Sequence, residues 1–298
     1  MTDRWDVFGG LRYTHDKKHL VEANNFVGAA DQEDTWQRIT YEFGSSYEIA
    51  SQVNVYAKYA TGFKAGGFAA ASLAPPFNEE LNDSIEVGVK GLFFEDRLDV
   101  ALAVFDMSYD DLQVNQVIGA SAVITNAAKA SIQGAEIEVK ALVTDDLQLE
   151  LAASILDATF DDYLTQDSAR PTLGPLQLKG NHLPWSPEST FSLGAYYTLP
   201  VNISGELTLG GRYYWKDTVY FSEFNLPVIA AQEAVGRSDI TLNYESDSGA
   251  WFAGVFVRNL SDEVVLNRTR VVSSILNSSA LGTIDPGREV GIQLRRRF

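Results

Sequence analysis

From Val201 to Trp215 the chain alternates strictly. Val201, Ile203, Gly205, Leu207, Leu209, Gly211, Tyr213 and Trp215 interleave with Asn202, Ser204, Glu206, Thr208, Gly210, Arg212 and Tyr214. A period of two puts the first set on one face of an extended strand and the second on the other. The run is longer than the roughly 5–6 residues of an ordinary globular strand and exceeds the roughly 9–11 that a tilted strand needs to cross a membrane. Comparable runs are expected at 4–14, 36–47, 51–60, 83–94, 97–109, 130–142, 145–159, 189–199, 201–216, 237–246, 249–260 and 287–298. The fold class expected is all-β, a transmembrane antiparallel meander.

The connections support that reading. Turn formers fill the short ones, such as Phe94-Glu95-Asp96-Arg97 and Ser246-Asp247-Ser248-Gly249. Between them fall six long ones, 15–35, 61–82, 110–129, 160–188, 217–236 and 261–286. Short and long alternate strictly, so the long loops gather on one edge of the sheet. Soluble domains rarely carry so many structureless connections beyond about 12–15 residues, whereas outer-membrane barrels do so routinely. The rival is a large soluble sandwich or propeller, with shorter strands and a buried apolar face. Aromatics near run ends, among them Trp5, Trp36, Tyr59, Tyr197, Trp215 and Trp251, suit interfacial girdles.

Composition excludes other classes. No apolar stretch approaches about 18 residues, so a helical membrane span is out. The chain holds 23 Lys plus Arg against 40 Asp plus Glu, a net charge of −17. Nucleic-acid binding needs the opposite balance. With no cysteine there is neither a disulfide nor a thiolate metal site, and the redox compartment stays undecided. Met1-Thr2-Asp3-Arg4-Trp5 has neither the basic start nor the apolar core of a signal peptide. An outer-membrane placement therefore implies either a mature segment with an added methionine or a piece of something longer.

The polar face mixes Gly88, Gly194, Gly210, Gly254 and Gly291 with Glu86, Glu136, Glu138, Lys140, Glu206, Arg212, Asp239 and Arg258. Such a wall fits a wide lumen holding a separate folded element, the glycines allowing close approach. A hydrated pore wall reads the same.

Five segments resemble TonB-dependent outer-membrane receptors. Tyr56 to Phe68 is similar to the family's Tyr-x-x-Tyr-(Ser/Ala)-x-Gly-Phe-(Arg/Lys)-x-Gly-Gly-Phe stretch, and Ser84-Ile85-Glu86-Val87-Gly88-Val89-Lys90 to its Ser-x-Glu-x-Gly-x-Lys strand. Asn126 to Glu138, Val257 to Asp262 and Pro286 to Phe298 follow in the family's order. The resemblance implies that residues 1–298 are the C-terminal part of a plugged barrel of about 22 strands. About 12 are present; the plug, the TonB-contacting segment and roughly ten strands would precede them. Twelve could close alone, but an open wall would leave costly unpaired edges in lipid.

The implied activity is TonB-energised uptake of a scarce ligand such as a siderophore, cobalamin or a glycan. The alternatives are a passive outer-membrane channel and a surface-binding barrel that transports nothing. Implied partners are outer-membrane lipid, a small-molecule ligand such as a metal chelate, the barrel insertion machinery, and TonB only through the preceding plug segment. The resemblance makes Ile292, Leu294 and Phe298 the assembly signal.

No nucleophile–base–acid set is present, so no enzyme and no cofactor are expected. His15, His19 and His182 all fall in expected loops. Asp16 near the first two could complete a metal site, but incidental surface positions are the favoured reading of all three. Asp110-Asp111 and Asp161-Asp162 read as solvated strand ends, where a divalent cation could also sit. For ligand contact the candidates are loop aromatics and arginines, which suit planar or anionic chelates: Phe63, Phe68, Tyr163, Arg170, Trp185, Tyr220, Phe221, Phe224, Arg268 and Arg270.

Overall fold

A computed structural model describes residues 4–24, 28–69, 74–118 and 121–297. Twelve strands form the wall. The first half comprises β1 (Trp5–Asn24), β2 (Gly28–Ala50), β3 (Val53–Lys64), β4 (Glu80–Phe93), β5 (Leu98–Ile118) and β6 (Ser121–Leu142). The second comprises β7 (Leu147–Gln166), β8 (Ser189–Thr198), β9 (Glu206–Lys216), β10 (Val235–Glu245), β11 (Trp251–Arg258) and β12 (Glu289–Arg296). Each pairs antiparallel with its neighbours in chain order, and among the described residues β1 does not pair with β12. The wall is thus an open meander. No described helix is long and apolar enough to cross a membrane.

The registers prove the two faces. Across the wall, Val87 lies opposite Val104, Leu102 opposite Ile137, Val139 opposite Leu151, Leu151 opposite Leu193, and Leu209 opposite both Tyr197 and Leu242. Many side chains in this outer row are exposed, including Ile85, Ile155, Leu193, Leu209 and Val255. An apolar band spanning twelve strands far exceeds the roughly few hundred Å² a soluble protein leaves open. The opposite row holds Asp99, Lys140, Glu150, Gly194, Arg212 and Asp239 in register from strand to strand. Arg212 bridges to Glu150 at 3.0 Å and to the Tyr196 hydroxyl at 2.9 Å, and Lys58 pairs with Glu86 at 3.1 Å.

Several inner glycines pack against aromatic rings of the wall itself. A Cβ on Gly88 would meet the Tyr56 ring at 2.6 Å and the Leu102 carbonyl at 2.7 Å; one on Gly134 would meet Phe105 at 2.7 Å. Each ring covers the glycine directly opposite it on the next strand. Gly210 sits under Tyr196 and Gly291 under Phe256 in the same way. These glycines accept aromatic covers from within the wall.

Two expectations need correction. Residues 15–24 pair with 28–37 as a continuous ladder, and much of 110–129 continues β5 and β6. The apolar alternation stops after Tyr13 because the strands have passed beyond the apolar band, not because they end. Above it, polar pairs such as Lys17–Glu33 at 2.8 Å line the hairpin. β6 has 22 residues, about 75 Å at about 3.4 Å each, so much of it projects past a hydrocarbon core of about 30 Å. Conversely, Val201–Gly205 is not strand. Val201 N–H donates to Leu199 O and Ile203 N–H to Val201 O, curling the segment after Pro200, and Gly205 turns at φ 113°.

The apolar core sits where the long loops meet the wall. Ala128, Ala130, Phe160, Tyr163 and Leu178 are buried together, with Tyr109, Leu112, Leu176 and Phe224 packed around them. Bulges at Asp110–Asp111 and Asp161 bend β5 and β7 at this level.

Candidate functional site

Three loops interlock above the wall. The first begins with a tight turn after β7: Asp167 accepts hydrogen bonds from Ala169 N–H at 2.8 Å and Arg170 Nε at 2.6 Å. It then runs back along β7 as Pro175–Gln177 and lays His182 beside Thr159. The second is the hairpin Val219–Tyr220 with Ala231–Gln232, whose tip turns at Asn225. Asn225 accepts from His182 N–H at 2.7 Å and donates to His182 O at 3.0 Å, clamping the first loop to the second. The third is the ladder Leu266–Val271 with Ala280–Ile284. Gln232 Oε1 receives Leu266 N–H at 2.6 Å, and Ser278 Oγ donates to Ala169 O at 2.8 Å. Every pair of loops is therefore tied.

Between them lies a cleft of about 420 Å³. Trp185, Phe221, Phe224, Arg268 and Arg270, all candidates from sequence, line it together. Trp185 is held at φ 68°, a left-handed conformation that is costly for a bulky residue. Its N–H bonds to Tyr220 O at 2.9 Å, and its indole lies 4.8 Å from the Phe221 ring at 57°. Neither cleft arginine has a salt-bridge partner among the described residues.

The remaining candidates divide. Tyr163, 1% exposed, packs on Phe160 beneath the cleft, in the cluster that Phe224 joins. Tyr220 stacks on His182 at 5.8 Å, and Arg170 holds Asp167 in the rim turn. Phe63 lies on the outer face of β3 opposite Leu81, and Phe68 packs edge-on against Trp36 at 6.0 Å; neither reaches the cleft. Ile292 and Leu294 stand on the outer face of β12 opposite Val255 and Ala253, while Phe298 lies outside the described residues.

His15 and His19 lie on β1, not in a loop, and Asp16 projects to the opposite face. His19 Nε2 instead meets Asp31 at 2.6 Å. Lys129 pairs with Asp110 at 2.7 Å.

Sequence reasoning missed Gln116, Thr165, Asp167, Ser222, Glu223 and Thr269, which also line the cleft. Glu223 is raised above the usual glutamate range by burial, an effect that a hydrogen bond from its own backbone N–H opposes and the nearby Asp167 carboxylate reinforces. Its only sequence signal was its place between Phe221 and Phe224.

The family model described as "TonB dependent receptor-like, beta-barrel" matches residues 1–260. The chain belongs to this family. It is accordingly an outer-membrane β-barrel segment of a Gram-negative bacterium, and the family is one of transport rather than catalysis. Among its relatives is the pesticin receptor of Yersinia pestis, 24% identical over all of this chain and 42% of that protein. The ferric-pyoverdine 358 receptor of Pseudomonas putida is 29% identical over 63% of the chain and 22% of its own length. The crystal structure of the ferric yersiniabactin uptake receptor of Yersinia pestis superposes with a TM-score of 0.83, at 21% identity, over 100% of this chain and 44% of that one. The siderophore receptor of Acinetobacter baumannii gives 0.80 at 19% identity, over 99% and 41%. This barrel segment thus spans less than half the length of these receptors.

Proposed function

We propose that residues 1–298 form the C-terminal part of a plugged barrel of about 22 strands that takes up a metal chelate such as a siderophore. The plug and remaining strands belong to a preceding portion of the receptor, and TonB acts through it. The observation that carries the ligand reading is the cleft, where three distant loops bring Trp185, Phe221 and Phe224 beside two salt-bridge-free arginines. Aromatic faces and guanidinium forks complement a planar, anionic chelate. The ferric-pyoverdine 358 receptor and the ferric yersiniabactin uptake receptor, both similar to this chain, support the same ligand class.

The test offers radioiron chelates to cells making the whole receptor, with and without TonB. TonB-dependent accumulation is expected, with Trp185→Ala and the Arg268→Ala/Arg270→Ala pair each lowering chelate affinity roughly tenfold or more, as for other central aromatic and arginine contacts. Equal accumulation without TonB would establish a passive channel instead. Accumulation unchanged by both variants would move the ligand elsewhere.

A further inference from the structure

The cleft is not uniformly cationic. Glu223 also lines it, with the hydroxyl residues Thr165, Ser168, Ser222 and Thr269. The Thr165 hydroxyl is occupied, accepting from Gln116 Nε2 at 3.1 Å. Thr269 is only 9% exposed, and its Oγ1 has no hydrogen-bond partner; Ser222 Oγ is likewise buried and unpartnered. Buried polar atoms in native proteins are satisfied as a rule, so two orphans on one cleft mark a place where something polar is received. Asp167, beside Glu223, is already committed to Ala169 N–H and Arg170. Glu223 is less committed: its backbone carbonyl accepts from Asn181, which fixes the residue in place, and its carboxyl accepts from its own backbone N–H but has no salt bridge or side-chain partner among the described residues.

We infer that Glu223, with the Ser222 and Thr269 hydroxyls, is a cation subsite of the cleft, which selects chelates carrying a protonated amine beside their anionic aromatic head. This deepens the chelate-uptake reading and rests on it. An ammonium has three donors, and the site offers one carboxylate and two hydroxyl acceptors, matching its full capacity. The head group lies against Trp185 and Phe221 with its negative charge toward Arg268 and Arg270. The amine then restores the counter-charge that burial denies the Glu223 carboxylate. A purely anionic ligand would leave that carboxylate facing it, which is unfavourable in a partly desolvated site.

The test uses the whole receptor in outer-membrane vesicles and two probes, the ferric complex of dihydroxybenzoyl-lysine and that of its Nε-acetyl derivative. The amine probe should bind at least about tenfold more tightly, the scale of a charged hydrogen bond. Glu223→Gln, which keeps size and shape, should abolish the amine probe's advantage, weakening its binding and strengthening that of the acetylated probe. Thr269→Val should reduce the same preference in part. Equal binding of both probes by the unaltered receptor, or a preference that survives Glu223→Gln, would overturn the subsite and leave the chelate cleft standing. Failure of both probes to bind, with Trp185→Ala also silent, would instead overturn the cleft reading.

Discussion

Gly88 and Tyr56 give the sharpest test of how the wall is held. Replacing Gly88 by alanine places a Cβ 2.6 Å from the Tyr56 ring and 2.7 Å from the Leu102 carbonyl oxygen. The carbonyl belongs to the neighbouring strand and cannot move far, so the ring must lift. In lifting it gives up the hydrogen bond from its hydroxyl to Glu86 at 2.7 Å and its contact with the Lys90 ammonium at 5.6 Å. The first contributes about 1 kcal/mol in this half-exposed setting and the second about 0.5 kcal/mol. Residual overpacking against the carbonyl adds about 1 kcal/mol, for a total of about 2–3 kcal/mol. Urea unfolding of the whole receptor in lipid vesicles reads this directly. Gly211→Ala is the control: nothing lies within 4 Å of its Cβ, and it should change stability by less than about 0.5 kcal/mol. In a double-mutant cycle, Tyr56→Ala with Gly88→Ala should cost about 1.5 kcal/mol less than the sum of the single changes, because the ring contacts are lost once. Equal costs at Gly88 and Gly211, or strict additivity of the pair, would refute the cover model.

Two further outcomes follow from the loops. The two side-chain N–H groups of Asn126 are shared among Asn78 O, Glu79 O and Asp111 O, and its Oδ1 accepts from Asn78 N–H, at 2.6–3.2 Å, tying the β3–β4 connection to β5 and β6. Asn126→Ala should therefore cost about 1–3 kcal/mol and speed protease cleavage near residues 74–79, measured as cleavage rate in intact vesicles. Glu223 has a folded-state pKa above its unfolded one, so the folded loop binds more protons in the window between them. Its contribution is fully present below the unfolded glutamate value and is lost as pH rises through the folded one. Hydrogen exchange of the ligand-free 219–232 hairpin, corrected for intrinsic rate, should show stronger protection toward the acidic end of that window, and Glu223→Gln should flatten the profile. A profile unchanged by the substitution would show that another group is responsible.

What the sequence revealed and what it hid share one physical cause. Period-two alternation reports contact with lipid on one side, so it located the wall strands and their faces from β4 to β11. It fell silent at 15–24 and 28–35, where both faces of the ladder meet water and Lys17, Glu33 and Asp31 replace leucines. It also ran too far at Val201 and Ile203, which alternate without a partner strand because Pro200 and Gly205 bend the chain away. At the cleft, residue type was a fair guide to Trp185, Phe221, Phe224, Arg268 and Arg270. Two other candidates lie away from the cleft: Phe63 is a strand residue on the outer face, and Phe68 packs on Trp36 of β2. Glu223 and Thr269 matter through burial and missing partners, which no linear pattern records.

The central claim is that alternate residues of this wall face lipid and water, and the absence of cysteine from the chain makes it directly measurable. Single cysteines placed at each position from 207 to 215 on β9 of the whole receptor, in intact vesicles, can be labelled with a water-soluble maleimide. Positions 208, 210, 212 and 214 should react, and 207, 209, 211, 213 and 215 should stay protected until the barrel is denatured. Uniform labelling, or the reverse alternation, would contradict the account.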